Sequence, residues 1–289
     1  MAEKPIHIGV IGGSGLYQMP GLENVREIRV DTPFGDPSDA LIVGDLDGTP
    51  VAFLPRHGRG HVYMPTEVPY RANIYALKSL GVRHIISVSA CGSLREEIKP
   101  QHVVIPDQIF DFTKERPRSF FGNGLVAHIS SADPFCPELS AMLANAVEEA
   151  GGTVHRGGTF ITIEGPRFST KGESNVFRAW GMDIIGMTAC PEAFLAREAG
   201  ICYATMAHIT DYDVWHESEE SVSVDMVVQR LNANIEMAQK AIAILVSRLA
   251  TADCACTCNQ ALENAVLTNP DYISEETKKA LHIIMEPHK

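Results

Sequence analysis

The chain has 289 residues, and its 24 Lys+Arg against 36 Asp+Glu give a formal net charge of −12, which argues against a nucleic-acid binder. Apolar residues make up 45% and charged residues 21%, an ordinary globular composition with no apolar run long enough to span a membrane. Residues 1–6 lead into a strand-like segment without the features of a signal peptide, so the expected compartment is the cytoplasm.

In chain order, apolar β-branched runs predict strands at 6–11, 40–43, 51–54, 84–88, 102–105, 159–163, 183–187 and 201–209. Helical spacing predicts helices at 70–80, 137–150, 191–199 and 224–249. Two of these begin at a proline and stop at a glycine, and Ser223 is the expected N-cap of the last. The segment 116–124 reads as a loop, and 250–273 as a polar connector before a short terminal helix. The fold class is therefore α/β: a single domain with a twisted, mixed or mostly parallel central sheet flanked by helices. Residues 1–250 are expected to form that domain and 251–289 a C-terminal extension with a Cys-rich connector. Such sheets bind ligands at the carboxyl ends of their strands.

The first strand runs into Gly12-Gly13-Ser14-Gly15. A phosphate loop would need a following Lys, and a dinucleotide fingerprint would need glycine where Gln18 stands. That weakens a nicotinamide-dependent oxidoreductase and leaves a small anion turn with the Ser14 hydroxyl, or an ordinary tight turn. The third run ends in Arg56, His57, Gly58, Arg59, Gly60 and His61. Arginine suits a bidentate oxyanion contact, so anion binding is favoured over a His57/His61 metal pair or a solvated basic loop. Ser89 follows the next run, and Cys91 reads as a buried structural cysteine. Phe168, beside Ser169, is either a stacking face or a packed aromatic; Met187-Thr188 adds an apolar contact and a hydroxyl. Asp211 and Asp213 would point to one side if their strand continued. Proton handling or hydrogen bonding to a heterocycle suits that pair better than metal chelation, with Asp211 raised by burial and its neighbour. Cys91, Cys136, Cys190 and Cys202 read as reduced core residues. Cys254, Cys256 and Cys258 read as coincidental cysteines of the connector, a redox element or a soft-metal site.

Ile11-Gly-Gly-Ser-Gly-Leu16, Asp31-Thr-Pro-Phe-Gly35, Arg56-His57-Gly58, Ala90-Cys-Gly-Ser-Leu-Arg95, Thr162-Ile-Glu-Gly-Pro-Arg-Phe-Ser169, Met187-Thr188, Pro191-Glu192 and Thr210-Asp-Tyr-Asp-Val-Trp215 resemble the 5′-methylthioadenosine phosphorylases of the trimeric purine nucleoside phosphorylase family. The resemblance runs from about residue 6 to 248. It implies that family's α/β fold and reversible phosphorolysis of methylthioadenosine by a homotrimer, with inorganic phosphate as co-substrate and no metal or organic cofactor. Carried over position by position, it implies phosphate contacts at Ser14, Arg56, His57, Ser89, Ala90 and Thr188. Met187 falls on the ribose, Phe168 and Ser169 near the base, and Asp211 and Asp213 on the purine, with Asp211, Asp213 and His57 as the catalytic set. His128 would reach a neighbour's methylthio pocket, which Val224 also lines. A phosphorylase of 6-oxopurine nucleosides or methylthioinosine is the rival within the family, and Asp211 argues against it. A non-catalytic nucleoside-binding module is the rival outside it. Two features depart from the pattern: Gly186 stands where several relatives carry Asn, and the tail past about residue 250 differs from the animal enzymes. The Cys-x-Cys run is similar to one near the C-terminus of some thermophile relatives.

Overall fold

The computed structural model describes residues 5–16, 18–216, 223–251 and 255–286, without the side chains of Ser14 and of residues 231–233. Cys254 therefore lies outside the described residues. The described strands are Ile8–Gly12 (β1), Leu22–Ile28 (β2), Leu41–Leu46 (β3), Thr49–Pro55 (β4), His84–Ser93 (β5), Val103–Ile105 (β6), Gln108–Phe112 (β7), Val154–Arg156 (β8), Thr159–Ile163 (β9), Ile184–Gly186 (β10) and Cys202–Asp211 (β11). The helices are Tyr70–Ser79 (α1), Pro137–Glu149 (α2), Lys171–Ala179 (α3), Ala189–Glu198 (α4), Val224–Ala233 (α5), Ile235–Leu249 (α6) and Glu275–Met285 (α7).

The strands form one mixed sheet in the order β2-β3-β4-β1-β5-β10-β9-β7, with β11, β6 and β8 branching from β5. Among the described residues six pairings are parallel and four antiparallel. Strands β1, β5 and β11 are buried on both faces, which is why they read as unbroken apolar runs rather than alternating ones. Neighbouring residues point to opposite layers. Ile86 faces Leu143 of α2 and Ile242 of α6 in one layer. Ile85 faces Ile74 of α1, Ala196 of α4 and Leu281 of α7 in the other. Residues past 250 thus contribute Ile273, Leu281 and Ile284 to that second layer. No helix of the described residues is long and apolar enough to cross a membrane.

Strand β5 has three strand neighbours, and this fork positions everything that follows. One edge pairs with β11 from His84 to Gly92. The other pairs with β1 only up to Ser87, then with β10 only from Gly92. Between them lies a stretch of edge, Val88 to Cys91, with no strand of the described residues beside it. The expected strand 84–88 is therefore too short: Ser89 and Ala90 lie inside β5, not after it. The helix expected at 224–249 is two helices broken at Asn234. Its apolar stripe continues across the break, so periodicity cannot show it. The break lets Ile235 close on Gly15, where a side chain's Cβ would stand 2.6 Å from Ile235 Cδ1, and Gln239 Nε2 donates to the Gly15 carbonyl at 2.7 Å. Helix α4 starts two residues earlier than expected, with non-helical backbone at Cys190.

Candidate active site

At the fork, Arg56 follows directly on β4 and is 3% exposed. Its guanidinium occupies the strandless edge of β5, with Nη1 donating to the Val88 carbonyl at 3.0 Å and Nη2 to Ser87 Oγ at 2.7 Å. Nε and Nη2 also form a bidentate pair with Glu192, each at 2.8 Å. Burial opposes the Arg56 charge, but Glu192 more than offsets it and holds the group above the ordinary arginine range. Four of its five N–H groups are thus engaged, leaving one on Nη1 for a ligand. Glu192 is completely buried and also accepts from Tyr203 Oη at 2.8 Å. Sequence reasoning quoted Glu192 only as part of a motif. The signal for it was a carboxylate set among Pro191, Ala193, Phe194, Leu195 and Ala196, where a buried charge demands a partner.

His57 keeps its place but changes its chemistry. Its Nδ1 lies 2.8 Å from the Tyr63 carbonyl, so Nδ1 carries the proton and Nε2 is an acceptor. Burial, with the Arg56 charge behind it, pushes its pKa down to about 4. The ring is therefore neutral near pH 7 and binds an anion only through a proton that the anion itself carries. His61 stacks on it with centroids 4.3 Å apart.

Ser89 Oγ and Thr188 Oγ1 are both buried and 3.0 Å apart, bridging the edge of β5 to the start of α4. The backbone beneath Thr188 is held by Arg116, which donates to the carbonyls of Met187 and Cys190, each at 2.6 Å. Arg116 also pairs with Glu164 at 3.0 Å. The loop expected at 116–124 thus begins with a buried positioning arginine that composition could not distinguish from a solvated one.

A cavity of about 360 Å³ opens at this fork between Gly13, His57, Ala90, His208 and Val228. Among the described residues neither ring nitrogen of His208 has a partner, and burial pushes its pKa down to about 4. The Ser14 side chain lies outside the described residues, but its backbone sits in the turn after β1.

Asp211 ends β11, two residues past the expected run 201–209, and the strand does not continue to Asp213. Asp213 instead turns back with φ of 51°, and its N–H donates to Asp211 Oδ1 at 2.8 Å. The two carboxyls meet through this turn rather than through strand alternation. Both crowd Gly92, where a Cβ would stand 2.8 Å from Asp211 Oδ1 and 3.3 Å from Asp213 Cβ. Thr210 Oγ1 donates to Asp211 Oδ2 at 2.7 Å. Burial, joined by the Asp213 charge, pushes Asp211 up to about 6 against the pull of its two hydrogen bonds and Arg230. Burial also raises Asp213, opposed by the nearby Ser174 and Ser169 hydroxyls. Among the described residues, Asp213 Oδ2, Ser169 Oγ and Ser174 Oγ are buried without a partner in hydrogen-bond geometry.

Phe168 and Met187 are half-buried, and Met187 Sδ closes on Gly165, where a Cβ would lie 2.6 Å away. At Gly186 a Cβ would stand 2.8 Å from Phe160 Cζ and 3.2 Å from Cys91 Sγ, so Phe160 fills the space an Asn would need. Burial raises the Cys91 thiol, consistent with an inert core cysteine. Of the expected residues, His57 and Ala90 line the cavity itself. His128 is exposed, tied by its N–H to the Ala265 carbonyl at 2.9 Å, and Val224 is 65% exposed.

A model of the phosphorylase superfamily matches residues 7–250. The chain belongs to that superfamily. It is 57% identical over 279 residues to an S-methyl-5′-thioadenosine phosphorylase of Geobacter sulfurreducens, covering 96% of this chain and 97% of the relative. It is 53% identical to one of Gloeobacter violaceus, covering 99% and 97%. A crystal structure of a methylthioadenosine phosphorylase from an antarctic soil metagenome superposes with TM-score 0.94 at 50% identity, covering 98% of this chain and all of that one. The Schistosoma mansoni methylthioadenosine phosphorylase in complex with adenine gives TM-score 0.82 at 34% identity, covering 98% and 99%. The family read from the motifs and the mixed-sheet fold both hold, and the chain is a pentosyltransferase of this kind.

Proposed function

We propose that the chain catalyses the reversible phosphorolysis of 5′-methylthioadenosine to adenine and 5-methylthioribose-1-phosphate, with phosphate in the fork and the base on the Asp211–Asp213 pair. The observation that carries this is the separation of chemistries: one side of the fork is a cationic, hydroxyl-lined edge, the other a buried carboxyl pair with Asp211 raised to about 6. The free Nη1 proton of Arg56, the Ser89 and Thr188 hydroxyls and the turn at Ser14 hold hydrogen phosphate, whose own proton is accepted by His57 Nε2. The edge at Ala90 completes the cradle. Met187 lies under the ribose, and Phe168 and Ser169 lie beside the base.

As the bond from C1′ to N9 breaks, positive charge grows on the ribose, and the held phosphate oxygens stabilise it before one bonds to C1′. Negative charge grows on the departing base, and Asp211 transfers its proton to N7. Over the cycle the proton of hydrogen phosphate replaces the one Asp211 gave up. No cofactor enters these steps. Release of free base from methylthioadenosine, adenosine and inosine, with and without phosphate, tests this reading. Methylthioadenosine should lead, adenosine follow and inosine trail far behind, all dependent on phosphate. A preference for inosine or methylthioinosine, or turnover without phosphate, refutes it.

The working form in this reading is a cytoplasmic homotrimer in which His128 of one subunit closes a neighbour's methylthio pocket beside Val224. Exposure of both residues in the single chain supports it. His128→Ala and Asp211→Asn homotrimers should each be crippled. Co-refolded one to one, a ring of heterologous contacts leaves about one site in four with both residues intact. No recovered activity despite verified subunit exchange would defeat the shared-site assignment.

A further inference from the structure

Cys136, Cys202, Cys256 and Cys258 arrive from three separate places. Cys136 is the N-cap of α2, Cys202 is the first residue of β11, and the other two follow α6. Their four Sγ atoms all lie within 4.8 Å of one another, with Cys202 and Cys256 at 3.1 Å. Three of the four residues are buried and Cys256 is half-buried. Two cysteines of the polar connector are therefore packed against two residues of the core. We propose that these four thiols form a tetrahedral site for one soft divalent cation of the zinc class, which clips the C-terminal segment to β11 and α2.

Zinc–sulfur bonds of about 2.3 Å place the sulfurs of a tetrahedron roughly 3.8 Å apart. That edge lies between the 3.1 Å of the Cys202–Cys256 pair and the 4.8 Å within which all four sulfurs lie, so binding requires only small side-chain shifts. The four sulfurs lie within 4.8 Å of one another, close enough to share one ion, whereas a multi-iron cluster spreads its cysteines over separate iron atoms. An all-sulfur donor set also rejects magnesium and calcium, which take oxygen. The surroundings suit the excess negative charge of a tetrathiolate. Arg197 Nη1 donates to Cys258 Sγ at 3.4 Å, and the Leu139 N–H to Cys136 Sγ at 3.5 Å. The latter is the N-terminus of α2, where the helix dipole favours an anion. On binding, four thiol protons pass to solvent and no electron moves. Cys202 and Asp211 terminate opposite ends of the ten-residue β11, so the ion is structural and takes no part in phosphorolysis.

The test uses full-length protein with Cys254→Ser as background, purified under reductant from zinc-supplemented cells. Elemental analysis should find one zinc per chain, and none in Cys256→Ser/Cys258→Ser. Chelated, reduced protein titrated with cobalt(II) should develop the thiolate charge-transfer and visible bands of a tetrahedral sulfur site. Zinc at about a thousandfold over its Kd should raise Tm by about 10 °C. Cys258→Ser should weaken zinc binding by more than about 100-fold, while kcat at moderate temperature stays unchanged. The cobalt spectrum needs no variant, so misfolding of the serine forms does not obscure the answer. Reduced protein that gives no thiolate–cobalt bands and takes up no zinc overturns the proposal, as does a disulfide among these residues that persists under reductant.

Discussion

Replacing Asp211 with Asn should cut turnover of methylthioadenosine by about 10²–10⁴-fold, the usual worth of a positioned proton donor. The same change should make the protein more stable near neutral pH. In the folded state Asp211 rises from 3.8 to about 6 because burial disfavours its charge. Its contribution to stability is therefore favourable below the unfolded value and is lost as pH climbs through the folded one. Above that, the charged group costs about 3 kcal/mol. Asn removes that cost, and its amide finds partners: Oδ1 keeps the Asp213 N–H, and Thr210 Oγ1 can accept from the amide by turning its proton to the Cys91 carbonyl, 3.3 Å away. Tm should rise by several degrees at pH 7 and show no gain near pH 3.8. The wild-type kcat/KM should fall as pH rises through about 6. Asp211→Asn should lack that limb, while any limb from phosphate ionisation persists. A 6-oxo group presents an acceptor where the acid pair expects a donor, a mismatch of about 1–3 kcal/mol or roughly 5- to 150-fold. Asp211→Asn should therefore improve inosine relative to adenosine. Unchanged turnover of methylthioadenosine, or an unchanged base ratio, would remove Asp211 from base recognition.

That such a residue was legible in the sequence follows from where it sits. Apolar strands such as β1, β4 and β11 announce themselves, and the chemistry of this fold lies near their ends. What stayed hidden depends on partners distant in the chain. Edge strand β2 pairs, among the described residues, only with β3 and exposes Glu23, Asn24, Val25, Arg26 and Glu27, so it carries no apolar signal. Strand β8 spans three residues, below the length at which alternation is readable, whereas the equally short β6 was legible as the apolar run 102–105. Helix α3 was missed although its start is written locally: Thr170 and Glu173 form a capping box. The fork of β5 could not be read, because which edge loses its neighbour at Val88 is decided by where β1 and β10 end. Glu192 and Arg116 were missed for a related reason. Their roles exist only through contacts 136 and 74 residues away, with Arg56 and Cys190.

Glu192→Ala should therefore be the most destabilising single change at the site. It leaves the Arg56 guanidinium buried without its counter-charge, a cost of about 3–5 kcal/mol. At this size that corresponds to a fall in Tm of roughly 6–20 °C. The Tyr203 hydroxyl loses its acceptor at the same time. With Glu192 gone, the guanidinium is free to rotate off the Val88 carbonyl, so the phosphate KM should rise at least about tenfold, the lower range for losing an orienting partner. Stability and activity can then be separated. Arg56→Met/Glu192→Leu, combined with Tyr203→Phe, replaces the ion pair and the tyrosine hydroxyl by apolar groups of similar size, leaving only Ser87 Oγ and the Val88 carbonyl without the arginine. Such replacements of buried ion pairs are often neutral or stabilising, so the triple variant should recover most of the lost Tm. It should not recover phosphorolysis, because no cation then faces the phosphate. The two effects of Glu192→Ala would be non-additive with Arg56→Met, as expected for residues in direct contact. A Glu192→Ala protein with wild-type Tm and phosphate KM would show that the pair carries neither the fold nor the anion site. Phosphorolysis restored in the triple variant would show that Arg56 is not the phosphate's cation.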